Sequence, residues 1–100
     1  MKVNEPLWYN DLIMCPSQCY CNFITEDGDE FCIYMRWRWD DPWSVEVVPF
    51  YNGDFCYDAD WEYVDLGYFS HDDYARLQKC CVRYVEEKYK VKEWLRYESD

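Results

Sequence analysis

The sequence predicts an α+β domain, with an antiparallel sheet of about four strands, arranged as two hairpins and packed against a long C-terminal helix. Three observations carry that expectation. Asp27-Gly28 and Asn52-Gly53 each separate runs of strand-forming residues, and such dipeptides supply the positive φ that tight hairpins require. Alternation of period two runs through residues 31–39 and 54–63, the pattern of strands with one buried face. After Gly67 neither Gly nor Pro occurs again, which leaves ample length for a helix.

Taken in order, Asn4-Glu5-Pro6 predicts the cap of a short helix through about Met14, with proline in the first turn. Cys15-Pro16-Ser17 breaks the chain. Residues 19–25 and 31–39 read as strands around Glu26–Asp29, with Phe31, Ile33, Met35, Trp37 and Trp39 on one face of the second. Cys32, Tyr34, Arg36 and Arg38 occupy its other face. Asp40-Asp41-Pro42 turns the chain into a third strand, Trp43–Tyr51. In the fourth, residues 54–63, Asp54, Cys56, Asp58, Asp60 and Glu62 alternate with Phe55, Tyr57, Ala59, Trp61 and Tyr63. Ser70 with Asp73 resembles a capping box, and Phe69 with Tyr74 a hydrophobic staple. Tyr74, Leu77, Cys81 and Tyr84, extended to Val91 and Leu95, make a helical stripe. The end of this helix is open, because Tyr89–Trp94 also reads as a strand.

At 100 residues and half hydrophobic, the chain fits one acidic domain over 1–100 and has enough apolar material for a packed core. The net charge is −11. Phosphates are repelled by such a field, so direct binding to nucleic acid or to an anionic membrane is excluded as an expectation. The imbalance is local: residues 1–75 hold 16 acids against three bases, Lys2, Arg36 and Arg38. Between Asp40 and Asp73 there are ten acids and no Lys or Arg.

Glu5 and Asp11 interrupt the apolar residues near the N-terminus, and no run approaches the roughly 18–20 needed to cross a bilayer. The expectation is a cytoplasmic chain (a host-cell cytoplasm if phage-encoded) whose seven cysteines stay reduced. Cys15, Cys19, Cys21 and Cys32 invite a zinc reading, but a second C-x2–4-C knuckle is missing and small core residues suit them better. His71 is the sole histidine and reads as a solvated first-turn residue. The serines lack a G-x-S-x-G context, and three glycines leave no phosphate loop. No catalytic residues, metal or cofactor are therefore predicted, and the chain is not expected to be an enzyme.

The acidic row carries the functional expectation. Alternate residues on a strand stand roughly 6.6–6.8 Å apart, so Asp54, Asp58, Asp60 and Glu62 would form a regular line of carboxylates. With Asn52-Gly53 as a two-residue loop, Tyr51 pairs with Asp54 and Trp43 with Glu62, setting an apolar row beside the acidic one. Asp40, Asp41 and Asp65 extend the charge. Such a surface suits a basic protein or ribonucleoprotein whose own ligand is nucleic acid, because duplex DNA carries about one negative charge per 1.7 Å. The leading expectation is a small acidic inhibitor that blocks such a partner's DNA or RNA site, as DNA mimics and phage anti-CRISPR or other anti-defence proteins do. The alternatives are an immunity protein or antitoxin neutralising a toxic nuclease, and a small zinc- or thiol-containing module.

Overall fold

In the computed structural model, which describes residues 4–13, 15–39, 42–51 and 53–96, the chain forms a curled antiparallel sheet and one helix near its C-terminal end. The α+β class holds. Seven strands are present among the described residues in place of four: β1 Trp8–Asp11, β2 Ser17–Thr25, β3 Glu30–Trp37, β4 Ser44–Tyr51, β5 Asp54–Phe55, β6 Glu62–Val64 and β7 Val91–Leu95. The helix, α1, spans Tyr74–Lys88 and follows one 3-10 turn, His71–Asp73.

β2, β3 and β4 are the centre. The β2–β3 turn closes with Thr25 N–H donating to the Asp29 carbonyl (2.9 Å) and Gly28 N–H to the Thr25 carbonyl (2.9 Å). Gly28 takes φ +92°, a left-handed conformation that glycine adopts without the usual Cβ clash. Each flank of this centre is covered by two short strands placed end to end. β1 pairs with Gln18–Cys21 of β2 and β7 with Asn22–Thr25. β5 pairs with Phe50–Tyr51 of β4 and β6 with Val45–Val47.

The registers assign the faces. Cys19, Cys21, Phe23, Ile33, Met35, Val45, Val47 and Val64 share the inner face, where α1 contributes Leu77, Cys81 and Val85 and β7 contributes Trp94. The stripe of Leu77, Cys81 and Val85 repeats every four residues, the spacing that keeps one helical face on the sheet. The outer face carries Tyr20, Asn22, Cys32, Tyr34, Glu46, Val48 and Phe50.

Several expectations are corrected. The N-terminal segment is a strand, because pairing with β2 covers Cys19 and Cys21 and outweighs the weak helix signal of Asn4-Glu5-Pro6. The helix stops at Lys88. Tyr89 is extended (φ −111°, ψ 147°), and Val91 and Leu95 lie on β7. A bulge between Ile24 and Thr25 leaves Lys92 unpaired, so Val91 and Trp94, three apart, both turn inward. That offset is why the period-two pattern of this strand was muted. Ser70 precedes the 3-10 turn without a side-chain bond to its backbone; its hydroxyl meets the Asp73 carboxylate at 3.4 Å instead. Trp39 leaves the predicted strand, taking φ +55° in the β3–β4 turn with 71% of its surface exposed.

Candidate functional site

The predicted ten-residue fourth strand is broken, and several of the candidate site residues lie around the break. Asp54 and Phe55 pair with Tyr51 and Phe50 as a two-residue hairpin requires. The expected register then ends. Glu62 lies opposite Val47, not Trp43, and residues 56–61 leave the edge of β4 as a loop. Cys56 N–H still donates to the Pro49 carbonyl (2.9 Å). The Cys56 carbonyl then accepts from Ala59 N–H (3.3 Å) and from the Trp61 indole N–H (3.1 Å), tying the loop around one oxygen.

Aromatic packing explains the break. A continuous strand would keep Tyr57 and Trp61 at the margin of the sheet. The loop brings Trp61 to 6.5 Å from Tyr34 on β3 and 5.8 Å from Phe55. Phe55 in turn lies 6.0 Å from both Tyr20 and Tyr34, while Tyr57 packs 5.7 Å from Trp61. These offset and edge-on pairs, each stabilising by about 0.5–1.5 kcal/mol beyond burial, gather on the outer face, the side on which Cys32 and Val48 are buried. The cost is exposure of the aspartates, which suit turns. Asp54, Asp58 and Asp60 all face solvent, and Tyr51 and Tyr57 beside them are each 70% exposed. Asp54 accepts from Phe55 N–H (2.8 Å), fixing its side chain at the loop entrance. None of the three enters an ion pair with a described residue.

The other predicted site residues have different surroundings. Glu62 is no part of an outward row. It points to the helix side, accepting from Tyr84 Oη (2.5 Å), Tyr89 Oη (2.6 Å) and the Lys88 ammonium. Burial alone would raise its pKa, but the bonds from Lys88, Tyr84 and Tyr89 outweigh that and hold it below the ordinary glutamate value. Glu62 is a clamp between β6 and the end of α1. Trp43 is 5% exposed and so is core rather than an accessible anchor; its indole donates to the His71 carbonyl (3.2 Å). Asp65 is exposed and accepts from Gly67 N–H (3.0 Å), a local turn. Asp40 and Asp41 lie outside the described residues.

His71 departs most from its expected role. Its ring is stacked 5.8 Å from Trp43 and lies 4.4 Å from Trp37, with Nε2 3.0 Å from Ser17 Oγ. Asp72 approaches Nδ1 at 3.8 Å, completing the residue types of a hydrolytic triad. The geometry opposes that chemistry. Ser17 is 1% exposed and its hydroxyl also bonds the Leu12 carbonyl (3.2 Å), whereas the Asp72 side chain is fully exposed and orients nothing. A nucleophile must be reachable; this one anchors the 3-10 turn to the start of β2. Nothing in the sequence marks the pairing, since the two residues stand 54 positions apart.

The cysteines do not converge. Cys19 and Cys21 lie under α1, Cys32 points to the opposite face, and Cys15 is exposed. Burial pushes the Cys19, Cys21 and Cys81 thiols up to about 12, far from reactive thiolates. Among the described residues no group of three or more His, Cys, Asp or Glu side chains could hold a metal ion. Nor, among them, is any helix long and apolar enough to cross a membrane. No protein-family model matches the chain, and no curated protein or solved structure shows significant similarity to it.

Proposed function

We propose that the chain is a small acidic inhibitor that binds a basic nucleic-acid-binding protein or ribonucleoprotein and covers its DNA or RNA site. One observation carries this reading: Asp54, Asp58 and Asp60 are exposed with no paired cation among the described residues, Asp54 at the entrance to and the other two on a loop held by an indole–carbonyl bond and edged by exposed Tyr51 and Tyr57. A loop tied by its own bonds presents its carboxylates to a cationic groove with less ordering left to do, and tyrosines add contact area at small entropic cost. Asp58 and Asp60 stand on a compact turn beyond Asp54 on β5, not in a straight row. The mimicry is therefore of a clustered negative charge and not of a regular phosphate spacing.

The test begins with proteins captured from host lysate by the immobilised chain. A captured partner should bind nucleic acid on its own and lose that binding when the chain is added. The triple change Asp54→Lys, Asp58→Lys, Asp60→Lys should weaken capture by on the order of a hundredfold or more, since each desolvated charge pair that loses a member costs roughly 2–5 kcal/mol. Glu26, Asp27 and Asp29 are exposed in the β2–β3 turn, and reversing them shifts net charge equally. If that control weakens capture as much, bulk charge alone acts and the loop is not the site. A partner that keeps its DNA or RNA, or a gel shift by the chain alone, would also defeat the reading.

A further inference from the structure

We propose that the notch formed by Arg36, Arg38, Pro42 and Ser44 binds a phosphate dianion, free or as a monoester. It lies where β3 ends and β4 begins, at the opposite end of β4 from the acidic loop, and the inference does not depend on that loop's function. The notch has a volume of about 190 Å³, the liquid volume of roughly six waters. Arg36 and Ser44 are register partners, and the Ser44 hydroxyl donates to the Arg36 carbonyl (3.2 Å), which fixes β4 at this point.

Two features of the guanidiniums point to a ligand. Arg36 Nε is buried and has no hydrogen-bond partner; a buried donor on a charged group is normally satisfied. Neither Arg36 nor Arg38 enters an ion pair with a described residue, although Glu46 shares the outer face with Arg36. Asp40 and Asp41 are outside the described residues. Two like charges lining one small notch repel unless an anion sits between them, and these are two of only three bases in residues 1–75. A carboxylate neutralises one guanidinium. A phosphate dianion neutralises both, and its oxygens match the planar fork of arginine.

Titration with inorganic phosphate, phosphoserine and acetate, at ionic strength held constant with chloride, tests this through the Arg36 Nε–H and Ser44 amide resonances. Phosphate should shift both saturably, with a dissociation constant on the order of 1 mM; acetate should not saturate. Phosphoserine binding as tightly as phosphate assigns the site to a phosphorylated group, and weaker phosphoserine binding assigns it to the free ion. Arg36→Lys keeps the charge but loses the fork, and Arg38→Ala changes an exposed position; each should weaken binding at least about tenfold. Arg83→Ala, on α1, should leave it unchanged. Absence of a saturable shift with phosphate, or an equal response to acetate, overturns the proposal.

Discussion

The two faces of the sheet are buried by different means. The inner face is closed by a fifteen-residue helix whose apolar side chains repeat with the helical period, over Cys19, Cys21, Ile33 and Val47. The outer face, where Cys32 and Val48 are buried, carries a cluster of rings in which the six-residue loop takes part through Trp61. A helix satisfies its own backbone, so it can bury one side and leave only a polar stripe to solvent. A loop must bond what it can, here through the Cys56 carbonyl, and its remaining polar groups stay outside. Asp58 and Asp60 fall in that loop and are exposed.

Substitutions can separate the two. Trp94 is 1% exposed on the inner face, so Trp94→Ala should cost about 3–5 kcal/mol, read from urea unfolding. Trp61 is only half-buried; Trp61→Ala should cost about 1–2 kcal/mol. It should also release the loop, seen as faster hydrogen exchange at the Ala59 amide, with partner capture falling more than stability. If Trp61→Ala destabilises as much as Trp94→Ala, the outer layer is a second core and not a lightly held binding element.

The clamp between β6 and the end of α1 gives a pH signature. Glu62 has its pKa lowered in the folded state. Its contribution is therefore present above the ordinary glutamate value and lost as pH falls through the folded one. The hydrogen bond that Tyr84 donates to Glu62, with burial, raises the Tyr84 pKa, and burial, with its own bond to Glu62, raises that of Tyr89. Their contribution holds below the ordinary tyrosine value and fades in strong alkali. Glu62→Gln should flatten the acid limb of a stability–pH curve, and an unchanged limb would show that the clamp adds nothing. The smallest expected effect concerns the thiols. At pH 8 a disulfide reagent should label exposed Cys15 at once, while Cys19, Cys21 and Cys81 react only on unfolding.

Much of the centre was legible in the sequence. Asp27-Gly28 fixed one hairpin, Asn52-Gly53 set the first two pairs of the other, and Leu77 and Cys81 marked the buried helical face. What was hidden depended on distant partners. The alternation of residues 54–63 is compatible with a strand, and the rings of Tyr34 on β3 and Phe55 on β5, with which Trp61 packs, are not visible in that local pattern. Glu62 looked like its acidic neighbours because Lys88, 26 residues away, is invisible to local pattern. Trp43 read as an anchor until the His71 carbonyl and ring enclosed it.

Asn4 has a consequence for the order in which the molecule assembles. Its side-chain amide bonds Trp94 on both sides, donating to the carbonyl (2.9 Å) and accepting from N–H (2.7 Å), as a strand residue would. The residues joined are 90 apart, whereas the β2–β3 hairpin closes over a turn of a few. Loop closure grows with the logarithm of length, so this contact carries about 3 kcal/mol more chain entropy than the hairpin. The central hairpin should therefore form early and β1 and β7 dock last, end to end along β2. Pulse-labelled refolding should show β2 and β3 amides protected before those of β1 and β7.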